Sequence, residues 1–225
     1  MKIIIYRIKK YIIKNLINIF LTIKVWYISK TIKNKGKTFL FIDCGSNRAQ
    51  AFNFFKKYFT LDIFDYILIE PNPNCVKELR KITNQKVTLI EKGIWSSENS
   101  VKFYGISETG NKFTSGGSLV KDHNSSWYTT TDETSIDIKT VSLSKLLKEK
   151  KEIYDVIILK MDIESSEYEV LPSIIKDDSI DLLNHIFVEF HSKYFKIKDQ
   201  SKYIKLEKEI IHSIKSRNIG LTKWI

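Results

Sequence analysis

Four apolar, β-branched runs end in polar side chains: Phe41-Ile-Asp-Cys-Gly-Ser-Asn47, Ile69-Glu-Pro-Asn-Pro73, Leu159-Lys-Met-Asp-Ile-Glu164 and Val188-Glu-Phe-His191. Open α/β sheets bind ligands outside the carboxyl ends of their strands, so residues at those positions read as a binding site. Gly45 lets the backbone approach a ligand, and free N–H groups at the following helix start favour a carboxylate or phosphate. Glu70 lies 25 residues after Gly45. An acid there can accept hydrogen bonds from both ribose hydroxyls of a nucleoside cofactor, and Pro71 and Pro73 fix the turn that presents it.

The last two runs offer acid and base groups. By strand alternation Lys160, Asp162 and Glu164 share one side, and Glu189 and His191 end the neighbouring run in the same way. Charges at the end of a buried strand need partners or a ligand. Asp162 is the central candidate, with Glu189 and His191 as base or orienting partners. Asp162, Glu164 and Glu189 also form a set of hard oxygens that suits magnesium. Base and metal readings both stand at this level, as does a structural ion-pair cluster.

Alternating strand and helix patterns predict how these groups are positioned. Strands are expected at 38–43, 66–70, 86–91, 154–160 and 185–191, with 100–104, 136–141 and 221–225 as shorter ones. Helices are expected at 48–58, 74–81, 142–150, 166–175 and about 202–216. Buried strands alternating with helices give an α/β fold whose central sheet is mostly parallel and covered on both faces. Residues 105–135 form a long polar stretch with four glycines and Trp127-Tyr128, which reads as a lid or acceptor-binding loop.

The charge is concentrated at one end. Ten Lys and Arg precede the first acidic residue, Asp43, and supply ten of the net +11. The rest is nearly neutral, so no cationic face for nucleic acid is expected. Residues 1–36 form a basic amphipathic segment and residues 37–225 a single catalytic domain. The longest uncharged run in that segment, Asn15 to Ile23, is far short of the roughly 20 residues that span a bilayer. Lys24-Val-Trp-Tyr27 replaces a small-residue cleavage site, which argues against a signal peptide. Two readings of residues 1–35 remain: an interfacial helix on anionic lipid, or a helix packed on the domain or a second subunit. Cys44 and Cys75 lack metal-type spacing and read as reduced thiols of a cytoplasmic protein, peripheral on the membrane under the first reading.

Together these stretches resemble the FkbM family of S-adenosylmethionine-dependent methyltransferases. The family's Asp-x-Gly-Ala-Asn-x-Gly-Gln is matched by Asp43-Cys-Gly-Ser-Asn-Arg-Ala-Gln50, and its Glu-Pro-Asn-Pro stands intact at Glu70 to Pro73. Its Lys-x-Asp-x-Glu-Gly-x-Glu is matched by Lys160-Met-Asp-Ile-Glu-Ser-Ser-Glu167, with further likeness at Lys92 to Ser97 and Gly117 to Leu119. Ala49 and Ser165 stand where the family has glycine.

The resemblance implies a Rossmann-like fold, S-adenosylmethionine as methyl donor and a hydroxyl acceptor on a sugar, glycolipid, polysaccharide or polyketide. It places Asp43, Gly45, Ser46 and Asn47 at the methionine end of the cofactor and Glu70 at its ribose, with Pro71 and Asn72 also in the cofactor site. Gly93, Ile94 and Trp95 fall beside the adenine. A dinucleotide-dependent oxidoreductase would want a fuller glycine loop. An inactive membrane-bound scaffold draws its support from Ser165.

Overall fold

The computed structural model describes residues 2–32, 36–106, 116–124 and 130–224. Six parallel strands form the central sheet: β1 (Phe39–Cys44), β2 (Phe64–Ile69), β3 (Val87–Ile90), β7 (Val156–Met161), β8 (His185–Val188) and β9 (Gly220–Lys223). Their order, β3-β2-β1-β7-β8-β9, is that of a doubly wound Rossmann sheet, whose direction of winding reverses beside β1. A smaller sheet of β4 (Gly93–Trp95), β6 (Ser135–Ser142) and β5 (Ser100–Tyr104) flanks it. The α/β expectation therefore holds.

Strand alternation divides the core into two layers. Leu40, Ile42 and Cys44 of β1 and Ile157, Leu159 and Met161 of β7 face one side. There they meet α4 (Leu143–Lys151), α5 (Glu167–Lys176) and α6 (Ile197–Ser216) through Leu147, Leu171 and Ile214. Phe39, Phe41 and Ile158 point the other way, into an aromatic cluster with Phe55, Phe59, Tyr66 and Phe187. That face is covered by α1 (Lys2–Thr31), α2 (Gln50–Phe55) and α3 (Pro73–Leu79).

The second half of α1 packs on the domain. Leu21 and Val25 are buried in the aromatic layer, and Ile28 and Ile32 lie against it. Their spacing of four, three and four residues is one stripe of a helix. The expected boundary between residues 36 and 37 directly follows residues 33–35, which lie outside the described residues, as do 107–115 and 125–129 of the polar stretch, including Trp127 and Tyr128.

Three departures from expectation bear on the site. The helix expected from Arg48 begins only at Gln50, because Ala49 takes a left-handed conformation with φ 65°. β4 was not expected; three residues are too few for a periodic signal. β7 ends at Met161, so Asp162 and Glu164 sit on a loop and the alternation used to align them with Lys160 does not extend that far.

Candidate active site

The carboxyl ends of β1, β2 and β7 open onto a cleft. Gly45, Asn47, Glu70, Pro71, Gly93 and Ile94 line it from one side, Asp162 and Glu164 from another. The sequence therefore places eight of its candidate residues on one cavity. Phe103, Leu119 and Gly117 add an apolar wall from β5 and the segment between β5 and β6.

Glu70 is buried at the end of β2 and lines this cleft. Its Oε2 accepts from the Asn47 backbone N–H at 2.7 Å and its Oε1 from that of Asn72 at 2.9 Å. Burial pushes the carboxyl up to about 7, against the pull of those two N–H groups. Each carboxylate oxygen has a second lone pair, so Glu70 retains capacity for two hydroxyl donors.

Besides lining the cleft, Gly45 meets a second demand. With φ 77°, a Cβ built there would fall 1.8 Å from the carbonyl oxygen of Asp162. The loop after β7 comes this close, and it also donates the Asp162 N–H to the Cys44 carbonyl at 3.1 Å. The absence of a side chain lets the two strand ends touch.

Asp43, Ser46, Asn72, Trp95, Glu189 and His191 are not among the residues lining the cleft. The parallel register sets Asp43 beside Lys160 on the same face, and Lys160 Nζ lies 3.0 Å from Asp43 Oδ1. Burial works against the ammonium, but Asp43 and Asp162 outweigh it and raise the Lys160 pKa. The ammonium also donates to the Gly45 carbonyl at 2.8 Å, so this buried pair braces the loop from behind. Ser46 Oγ donates to the Asp43 carbonyl and accepts from the Ile69 N–H, tying β1 to β2. Asn72 caps α3 by accepting from the Asn74 N–H and reaches the Gly116 carbonyl with its amide.

A cluster of acids and imidazoles occupies the ends of β7 and β8. His191 Nε2 lies 3.6 Å from Asp162, 3.8 Å from Glu164 and 3.8 Å from Glu189. The other ring nitrogen is 3.1 Å from Glu167, a fully buried acid that also accepts the His191 backbone N–H. Burial disfavours the imidazolium, yet Glu167, Asp162 and Glu164 together lift His191 to about 9. At neutral pH it is therefore a cation among carboxylates rather than a free base. Burial and the neighbouring Asp162 raise the Glu189 carboxyl above its ordinary range.

Ligand-type atoms of Asp162, Glu164 and His191 lie within 4.8 Å of one another. Glu189, expected in such a set, is not in it; His191 takes its place because β8 ends at Val188 and the chain turns. Two members of this cluster had no role assigned from sequence. His123 is buried, with Nε2 3.2 Å from Glu164 and Nδ1 2.8 Å from Ser165 Oγ. It comes from the polar stretch, where no periodicity marks a buried position. Glu167 starts α5; it closes the motif that begins at Lys160, but no role follows for it from the sequence. Ser165 has φ 77°, a conformation that favours glycine, and its hydroxyl is engaged with His123.

The chain matches the methyltransferase FkbM domain over residues 43–213. A search of the curated proteins finds no match. Among solved structures, a methyltransferase FkbM from Methylobacillus flagellatus superposes with a TM-score of 0.46 at 16% identity, over 78% of this chain and 37% of its own. The yeast methylglyoxal/isovaleraldehyde reductase, complexed with NADPH, gives 0.42 at 10% identity, over 83% of this chain and 53% of its own. The chain thus spans little more than a third of the first of these structures. Because the domain match covers most of its length, from the end of β1 to the last turn of α6, the chain belongs to the FkbM methyltransferase family.

Proposed function

We propose that the chain transfers a methyl group from S-adenosylmethionine to a hydroxyl of a sugar, glycolipid or polysaccharide. The observation that carries this reading is Glu70, a buried carboxylate on the cleft wall that retains acceptor capacity for two hydroxyls. That is the pattern a ribose diol requires. The Gly45–Asn47 loop would take the amino-acid end of the cofactor, and Ile94 with Phe103 and Leu119 the adenine.

S-adenosylmethionine supplies an electrophilic methyl on a sulfonium sulfur. The chain must hold an alcohol in line with it and receive the hydroxyl proton. Asp162 lines the cleft and offers a carboxylate for that proton, with Glu189 behind it, 3.8 Å from His191 Nε2. His191, held by Glu167, counters the charge of the surrounding acids and fixes their positions. A magnesium ion among them is the alternative means of activating the hydroxyl, but an imidazole in the candidate set suits it less well than six oxygens.

Calorimetry with S-adenosylmethionine tests the cofactor. Glu70→Ala should weaken binding by about 1.5 to 3 kcal/mol, the range for hydrogen bonds to a charged group. Unchanged affinity removes Glu70 from the site. Asp162→Asn should bind the cofactor normally yet lose most radiolabel transfer into lipid and polysaccharide extracts, and near-normal transfer would sink its assignment.

A further inference from the structure

The outward face of α1 carries a second apolar stripe. Leu16, Ile19, Phe20, Ile23, Trp26 and Tyr27 are all more than half exposed. They recur at i, i+3, i+4 and i+7, the spacing of one helix face, and lie opposite the buried Leu21 and Val25. One stripe fixes the helix to the domain; the other has no cover among the described residues. Scattered exposed hydrophobics are ordinary, but a contiguous row of large ones marks a contact surface.

Charge identifies what meets it. Residues 2–37 contain ten Lys and Arg and no acid. Beside the stripe, a groove lined by Phe20, Ile211 and Leu221 is edged by Lys24, Lys215 and Lys223. Aromatic and aliphatic side chains next to lysines match the boundary between acyl chains and anionic headgroups. No helix among the described residues is long and apolar enough to cross a membrane. We infer that α1 docks the protein flat on the anionic surface of a phospholipid bilayer, with Phe20, Ile23 and Trp26 inserted among the headgroups.

The test uses the full chain and co-sedimentation with vesicles of phosphatidylcholine alone or with roughly 30% phosphatidylglycerol. Partition onto the anionic vesicles should exceed that onto neutral ones by at least about tenfold and fall as salt rises from about 50 to 500 mM. Phe20→Ser with Ile23→Ser should lower it by about tenfold or more, since apolar insertion supplies part of the binding. These side chains are exposed, so the melting temperature and S-adenosylmethionine affinity should not change. Absence of binding to anionic vesicles overturns the inference, as does a double variant that binds like the parent. A dimer that dissociates in the double variant, with no vesicle binding, assigns the stripe to a second copy of the chain. Because cofactor affinity is read separately, failure here is distinct from failure of the methyltransferase reading.

Discussion

Glu70 shows how burial and recognition compete at one residue. Its carboxyl is raised to about 7 from 4.5 because desolvation outweighs the two backbone N–H donors. The folded chain therefore holds this proton more tightly than the unfolded one, and its contribution to stability declines as pH rises from about 4.5 through 7. Cofactor binding should run the opposite way, because ribose hydroxyls donate best to the ionised form. S-adenosylmethionine affinity should rise as pH approaches about 7 and level off above it, with proton release on binding below that point. Calorimetry in buffers of different ionisation enthalpy measures that release. A pH-independent affinity, or proton uptake, would contradict the assignment. The identity and place of Glu70 were legible from Glu-Pro-Asn-Pro at a strand end; its altered proton affinity was not, because burial depends on what packs above the strand. The same limit hid Glu167, whose importance lies in holding His191.

At the scale of elements, the loops after β1 and β7 act as one unit. Gly45 accommodates the Asp162 carbonyl, the Asp162 N–H reaches back to Cys44, and Lys160 binds the Gly45 carbonyl from beneath. Gly45→Ala should destabilise the fold by at least about 2 kcal/mol, combining a left-handed alanine with an overpacked contact to backbone. Ala49→Gly should stay within about 1 kcal/mol of the parent, because relief of its left-handed conformation offsets the freedom gained by the unfolded chain and the lost methyl contact. Urea denaturation of the two variants checks both, and similar midpoints would show that loop contact is not what requires Gly45. The strands and most helices were legible because apolar runs of four or more residues carry a period. β4 and the left-handed start of α2 were not: the first is too short, and the second depends on a single backbone angle. Asp43 and Lys160 were each visible in the sequence, but their pairing required the register of β1 against β7.

On the scale of the whole molecule, α1 joins the fold to its surroundings. Its outer stripe faces away from the domain, while Asn18, Leu21 and Thr22 line a second cleft that also includes Lys160, Asp162 and Trp224. Trp224 reaches that position by donating its N–H to the Val188 carbonyl at 2.8 Å, extending β9 along β8. The helix is therefore a wall beside the candidate reaction centre as well as the carrier of the basic charge. Composition revealed its charge and its apolar content; it could not reveal that two apolar stripes face opposite ways. A chain beginning at Gly36 would expose the aromatic layer that Leu21 and Val25 cover. At about 1.5 to 3 kcal/mol for each fully buried side chain, those two alone represent roughly 3 to 6 kcal/mol. That is a large part of the roughly 5 to 15 kcal/mol that holds a domain together. The shortened chain should melt well below the full one and tend to aggregate, whereas the double substitution on the outer stripe should not. Calorimetric melting distinguishes them, and equal melting temperatures for the shortened and full chains would show that α1 is an appendage rather than part of the core.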